Sequence, residues 1–265
     1  MHYHLSHEAF SKVPLRLAAL SDFHSGPPFM PANRLRRIIN TTHAAKPDLI
    51  LLPGDFFAEE RGGQRPLSFE TLAGLLATLR APLGVFAVLG NHDWWDDREA
   101  QARRAGPVRW AGVMRDIGIT VLENQSVSVR HHDVVFDLAG LGDQEALKGR
   151  NRKEHVGVHD LEATLTKCRA DRFTLLLAHQ PDIFPEAARH PIGVDLTISG
   201  HTHAGQIQVL GRPVFVPSDH GRDYAHGLLD INGRKLIVSS GLGCSRIPVR
   251  LGVVPEITVI DLTGP

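Results

Sequence analysis

Apolar and polar positions along the first half of the chain fall into two alternating patterns. Residues 15–20, 49–52, 85–89, 174–178 and 195–198 are short apolar runs without strict period-two alternation. Runs of this kind predict strands covered on both faces, as in a mostly parallel sheet flanked by helices. Between the first three lie helical patterns. Pro31 suits a first helical position, and Leu35, Ile38 and Ile39 then form an inward face. Ser68 suits an N-cap ahead of Leu72, Leu75, Leu76 and Leu79. The Arg-rich stretch 98–115 predicts a further, longer helix, and Asp160 caps one that carries Leu161 and Leu165. The first half therefore reads β-α-β-α-β, the pattern of parallel crossover units.

Later in the chain the runs become short and β-branched, with Gly and Pro between them: 127–129, 134–138, 214–216, 236–238 and 257–260. Asn232-Gly233 is a hairpin turn signal between Leu228-Leu229 and Leu236-Ile237. No repeat or linker separates the two parts, so the pattern predicts a polar, frayed tail over 1–13 and a single domain with two sheets over 14–265.

Composition narrows the function classes. An apolar fraction of 42% in 265 residues supports a proper core, and Lys plus Arg (29) balances Asp plus Glu (29). That balance offers no field for a stable nucleic-acid complex. No apolar run approaches the about 20 residues of a membrane span, and residues 1–13, which lack an apolar h-region, are not expected to be a signal peptide. A cytoplasmic protein, at most peripheral at a membrane, is the expectation. Cys168 and Cys244 give no disulfide framework, and Cys168 sits at helical spacing with Leu161 and Leu165 as a buried thiol. The 16 histidines are the anomaly, because histidine is the commonest metal-binding side chain. His2 and His4 lie in the tail, where loose metal binding is the alternative to a frayed end.

Five polar clusters each follow one of the buried strand runs. They are Ser21-Asp22-Phe23-His24, Gly54-Asp55, Gly90-Asn91-His92-Asp93, His179, and Gly200-His201-Thr202-His203. Ligand sites in open α/β sheets lie beyond the carboxyl ends of the strands, so the clusters can converge. Asp22 and His24, like His201 and His203, are two apart and point the same way in extended chain. Mixed carboxylate, imidazole and amide donors suit Mn, Fe, Zn or Co and disfavour an all-oxygen Ca cage. Two such ions clamp attacking and leaving oxygens in a displacement at phosphorus. Any one cluster is a chance pair; five in order at strand ends are not.

Together these motifs resemble the full set of the calcineurin-like metallophosphoesterase superfamily, over about residues 15–262. The resemblance implies an α/β fold, a four-layer α/β/β/α sandwich of two mixed sheets flanked by helices. It also implies that Asp22, His24 and His203 hold one metal and Asn91, His179 and His201 the other, with Asp55 bridging. His92 is then the acid at the leaving group, oriented by Asp93; a purely structural role for His92 is the alternative. Two cations lower the pKa of a shared water, which gives a hydroxide that attacks phosphorus in line.

The stretch 200–207 and the tail around Gly241-Leu242-Gly243, Pro248-Val249-Arg250 and Pro255-Glu256 are similar to a bacterial branch of that superfamily. This branch includes general phosphodiesterases and enzymes that cleave the pyrophosphate of UDP-diacylglucosamine. Ala204 stands where the branch usually has Gly. The expected substrate is a small phosphodiester, or a nucleotide-sugar or lipid-type molecule, with two divalent ions, Mn first, as cofactor. A phosphomonoesterase or protein phosphatase and a non-catalytic scaffold are the alternatives. Beyond the ligands, Asn91 is also a substrate contact. Trp94-Trp95 form either an apolar rim or the anchor of the next helix. Arg246 and Arg250 either grip a second phosphate or are ordinary surface residues. His220, Tyr224 and His226 are placed in a loop lining the site. Residues 59–65 read as a mobile loop near Asp55, with Glu59 an outer-surface carboxylate.

Overall fold

In the strands that read as apolar throughout, successive side chains face two different cores. The computed structural model describes residues 1–60 and 62–265; Arg61, inside the loop expected over 59–65, lies outside the described residues. In chain order the elements begin with β1 (His2–Ser6), β2 (Leu15–Ala19), α1 (Ala32–Ala44), β3 (Leu49–Leu52), α2 (Phe69–Leu76) and β4 (Val85–Ala87). There follow α3 (Asn91–Trp95), α4 (Arg98–Arg103), α5 (Arg109–Asp116), β5 (Thr120–Val121), β6 (Gln125–His131) and β7 (Val134–Gly140). The remainder comprises α6 (Leu161–Leu165), β8 (Thr174–Leu177), α7 (Phe184–Arg189), β9 (Leu196–Ser199), β10 (Gln208–Val209), β11 (Arg212–Pro213), β12 (Gly227–Ile231), β13 (Arg234–Val238) and β14 (Thr258–Thr263).

One mixed sheet runs β1-β14-β2-β3-β4-β5 and the other β12-β13-β9-β8-β7-β6. Leu15, Leu17, Leu49 and Leu51 meet Leu138, Leu175, Leu177, Leu196 and Ile198 in the core between the sheets. The alternate residues Ala18, Leu20, Ile50 and Leu52 pack outward, under Leu35 and Ile39 of α1, Leu72 and Leu76 of α2, and Trp110 and Met114 of α5. On the far side, Ala139 and Leu176 pack against Leu161 and Leu165 of α6, Ala187 of α7 and the buried Cys168. The result is the four-layer α/β/β/α order. Period-two side-chain alternation explains why these strands show no polar face: each face has its own apolar cover.

Helix ends follow local chemistry. The Ser68 side chain accepts the N–H of Thr71 at the start of α2, and Asp160 accepts that of Ala163 at α6. Pro31 sits one residue earlier than expected, at the N-cap of α1. Asn232-Gly233 closes the β12–β13 hairpin, with Leu228 opposite Ile237 and Leu229 opposite Leu236.

Three expectations fail. The Arg-rich stretch 98–115 forms two helices, α4 and α5, broken at Gly106-Pro107, because proline supplies no N–H for a continuing helix. Residues 214–216 are not a strand; the short β10–β11 pair precedes them, leaving Val214 and Phe215 exposed. Residues 1–13 are not frayed. β1 runs parallel to β14, from His2 opposite Val259 to Ser6 opposite Thr263, and Leu5 and Phe10 are buried between the sheets. The polar residues of β1 face outward and hid the two anchors.

Candidate metal centre

The carboxyl ends of β2, β3, β4, β8 and β9 open onto one spot. The chain leaves each strand so sharply that Asp22, His24, Asp55, His201 and His203 all have φ between 39° and 67°, the left-handed region. Non-glycine residues there carry strain of about 1–3 kcal/mol each and concentrate at functional sites. Ala204 also lies at φ 53°, a conformation that glycine adopts without strain. Close approach does the rest. A Cβ on Gly200 would stand 1.8 Å from Ser21 Oγ and 2.2 Å from Asp22 Oδ2. One on Gly90 would stand 2.2 Å from Asp55 Oδ1. Both turns admit only glycine without displacing a site carboxylate.

Two groups of buried donors result. Asp22, His24 and His203 form one; Asp55, His179 and His201 form the other, with all donor atoms of a group within 4.8 Å. Asp55 lies between the groups. Its Oδ2 is 3.5 Å from His24 Nε2 and 3.3 Å from His179 Nε2. Asn91 Oδ1 is 3.1 Å from His179 Nε2, and His24 Nε2 is 3.1 Å from His203 Nε2.

The tautomers follow from partners behind the rings. His24 Nδ1 donates to Phe57 O at 3.2 Å, and His179 Nδ1 donates to Pro53 O at 2.6 Å. Each Nε2 therefore turns a lone pair inward, the orientation that outer partners impose on metal-binding imidazoles. His203 is held from behind by Arg250, whose Nη2 lies 3.1 Å from its Nδ1. The Ser21 hydroxyl donates to Asp22 Oδ2.

Electrostatics agree with this reading at His201 and His203, and His179 is the exception. Burial, and then the neighbouring His179 and His24, hold the His201 and His203 imidazoles well below their ordinary value, neutral and ligand-ready. Burial also raises Asp22, with Asp55 adding to it. Burial opposes ionisation of Asp55 too, yet His179, His92 and His24 hold its carboxyl well below the usual range. His179 moves the other way, well above its ordinary value, because Asp55 and Asp22 outweigh its burial. Lone pairs and carboxylates facing one another in a dry pocket repel unless a positive charge lies among them. This donor set fits divalent cations.

His92 lies beside the donors and not among them. Its ring is 5.0 Å from that of His24, its Nδ1 is 3.1 Å from Glu59 Oε1, and its Nε2 is 3.5 Å from Ser245 Oγ. Burial pushes this imidazole down to about 3, opposed by Asp55. Among the described residues Asp93 makes no hydrogen bond to the ring, contrary to expectation. Its carboxylate instead accepts backbone N–H groups of Gly90 (2.8 Å), Asp55 (2.9 Å) and Phe56 (2.9 Å), tying the turn after β3 to the turn after β4. Glu59, expected on the outer surface, is the carboxylate that meets His92. Nothing in the spacing marks it, since it lies in an irregular segment four residues past Asp55.

Over the donors opens a cavity of about 730 Å³, lined by Asp55, Asn91, His92, His201 and His203 at its floor. One wall is cationic and aromatic, with Trp95, Lys148, Arg152 and His155; the other is apolar, with Ile207, Val214, Phe215 and Ile247. Arg246 lines it as well. Arg250 does not: it is enclosed behind His203, donating to Gly243 O and Ser240 O, so it cannot grip a substrate phosphate. Trp94 is 3% exposed and belongs to the outer core, whereas Trp95 faces the cavity, so the rim expected of the pair is Trp95 alone. His220, Tyr224 and His226 lie away from the cavity; His220 stacks on Tyr224 and His226 pairs with Glu256 at 3.0 Å.

Fold and site together define a metallophosphoesterase, in which two mixed sheets gather buried Asp and His groups that can hold divalent metals. Residues 15–205 match the calcineurin-like phosphoesterase family, and the chain belongs to it. Its relatives include the Bacillus subtilis metallophosphoesterase YkuE, 30% identical over 257 residues that make up 96% of this chain and 79% of the relative. An Aquifex aeolicus metallophosphoesterase is 30% identical over 254 residues, 94% of this chain and 85% of the relative. The Escherichia coli phosphodiesterase YaeI is 31% identical over 252 residues, 94% and 83% of the two chains. No helix among the described residues is long and apolar enough to cross a membrane.

Proposed function

We propose that the chain is a dinuclear-metal hydrolase of phosphodiester or pyrophosphate bonds. The observation that carries this is the convergence of two buried donor groups, Asp22, His24 and His203 with Asp55, His179 and His201, with Asn91 beside His179, under an open cavity. Asp22, His24 and His203 would hold one ion and Asn91, His179 and His201 the other, with Asp55 available to both. Borderline donors of this mixture suit Mn first, then Fe, Zn or Co. Bound there, the ions supply Lewis acidity that activates water and neutralises charge on phosphoryl oxygens.

The protein's own groups complete the site. His92 Nε2 protonates the departing oxygen. That role needs the protonated ring, which burial opposes and the Asp55 carboxylate favours, and Glu59 Oε1 stands 3.1 Å from Nδ1. The breadth of the cavity and its two unlike walls give room for a substituent on either side of the phosphorus, which supports a diester or pyrophosphate over a monoester.

The test is a panel of aryl phosphodiesters, nucleotide-sugars, cyclic nucleotides and aryl monoesters, assayed with added Mn. Elemental analysis should find up to two transition-metal ions per chain. Hydrolysis should vanish on chelation and return with Mn. Full activity in metal-stripped protein would sink the metal reading, and turnover of monoesters alone would sink the diesterase reading.

A further inference from the structure

Twelve large apolar side chains are exposed among the described residues, and eight of them fall in just two segments beside the cavity mouth. Val209, Leu210, Val214 and Phe215 come from the β10–β11 segment; Ile247, Val249, Leu251 and Val254 come from the loop before β14. The segments form one surface. Gln208 N donates to Leu251 O at 2.8 Å, Leu251 N to Gln206 O at 3.1 Å, and Val214 N to Ile207 O at 3.0 Å. The Gln206 side chain ties down Ser245 and Ile247. The backbone of this ridge is therefore braced, while its apolar side chains remain uncovered. Scattered exposed leucines need no explanation, but a contiguous cluster does.

Charge says what covers it. Neither 200–217 nor 241–255 contains an Asp or Glu, while Arg212 and Arg246 are exposed within them. Of the carboxylates nearby, Glu145 and Asp219 lie beside Arg152, at 2.5 and 3.6 Å, and Glu59 and Glu60 line the adjoining hollow that Arg246 also lines. A second copy of the chain seated on this ridge would bring arginines against arginines with no counter-charge within either segment. The apolar side chains also project. Leu210 is 98% exposed at the tip of the β10–β11 turn and Val254 is 79% exposed, so they offer separate points rather than a flat face. Protruding apolar tips beside arginines, with no acid among them, match the boundary of an anionic bilayer, where side chains enter the acyl region and cations meet headgroups.

We propose that this ridge docks the protein on an anionic lipid surface, with the cavity mouth facing the bilayer. The apolar wall of the cavity, Ile207, Val214, Phe215 and Ile247, continues directly into the ridge. Docking in this orientation exposes the metal-binding floor to phosphoesters at the membrane surface. The inference does not depend on the chemistry assigned to the site.

The experiment is flotation with vesicles of phosphatidylglycerol and phosphatidylcholine, compared with pure phosphatidylcholine. The full chain should float with the anionic vesicles, and binding should weaken as salt rises. The double variant Leu210→Asp/Val254→Asp changes two side chains outside the cavity wall. It should lose about tenfold or more in partition while hydrolysing a soluble aryl phosphodiester as the parent does. Arg212→Glu should weaken binding to anionic vesicles and leave the weak binding to neutral ones unchanged. No flotation of the parent at low salt, or equal flotation of the double variant, overturns the proposal. So does a parent dimer in sedimentation that the double variant abolishes, since the ridge would then be a self-association surface. Loss of hydrolysis with flotation intact would count against the proposed chemistry alone.

Discussion

Asp93→Asn separates two roles that a carboxylate beside an acid histidine can play. In the structure its two oxygens accept three backbone N–H groups, from Gly90 and Asp55 at Oδ2 and from Phe56 at Oδ1. An asparagine has one acceptor oxygen and one donor nitrogen. With its oxygen in the Oδ2 place it keeps two partners and turns an N–H against that of Phe56; flipped, it loses two. Burial and the neighbouring Asp55 raise this carboxyl to about 8, so the bond is not counted as one to a full charge. The better orientation forfeits one hydrogen bond, about 0.5–1.5 kcal/mol, and leaves a buried N–H unpaired, about 1–3 kcal/mol. The sum is about 1.5–4.5 kcal/mol. In a chain of this size each kcal/mol moves the melting temperature by about 2–4 °C, so a fall of about 3–18 °C is expected. The melt belongs in chelator, so that metal affinity does not add to the difference. The same variant should lose metal affinity, because the tied N–H groups set the turn that carries Asp55. Its hydrolytic rate should fall equally on aryl and alkyl esters.

Glu59→Gln makes the complementary change. It removes a charge beside His92 Nδ1 and leaves the turns untouched, so metal content and melting temperature should stay close to the parent. The rate should fall most on alkyl esters, whose leaving oxygen needs the proton, and little on p-nitrophenyl esters, within the about 10²–10⁴-fold range of general acids. If Asp93→Asn melts with the parent and shows the leaving-group dependence instead, the assignment of these two carboxylates is reversed and the reasoning fails.

Two further expectations are sharp. Gly200→Ala places a methyl 1.8 Å from Ser21 Oγ and 2.2 Å from Asp22 Oδ2, so Asp22 must move; elemental analysis should show loss of one metal, and full occupancy would refute the close-approach account. Trp94→Ala empties a core site and should cost about 3–5 kcal/mol in denaturant unfolding, whereas Trp95→Ala, at a half-buried position facing the cavity, should raise KM and cost less stability; equal destabilisation of the two would contradict their different burial.

How far the sequence could be read depended on whether a residue's role was local. Asp22, Asp55, Asn91, His179 and the 201–203 pair each follow an apolar strand run, and a strand's end is visible in the sequence because burial on both faces leaves the run uniformly apolar. The helix caps Ser68 and Asp160 were legible for the same reason: a cap acts within three residues. Roles that depend on contacts far along the chain were not. Trp94 and Trp95 are adjacent and chemically identical. One turn of α3 puts the first into the outer core and the second over the cavity, against His155 and Lys148. Nothing at the two positions differs before the helix is docked. From sequence, Arg250 is either a phosphate grip or an ordinary surface residue, and it is neither. It lies instead behind His203, because the chain after β13 turns back and its guanidinium is taken by Gly243 O and Ser240 O. Glu59 and Asp93 exchanged expectations on the same ground. Asp93 is next to His92 in sequence, but the first turn of a helix aims its third side chain back at the N-cap N–H, away from its neighbour's ring. Adjacency in the chain therefore argued for the wrong partner, and the residue that reaches His92 comes from a different loop.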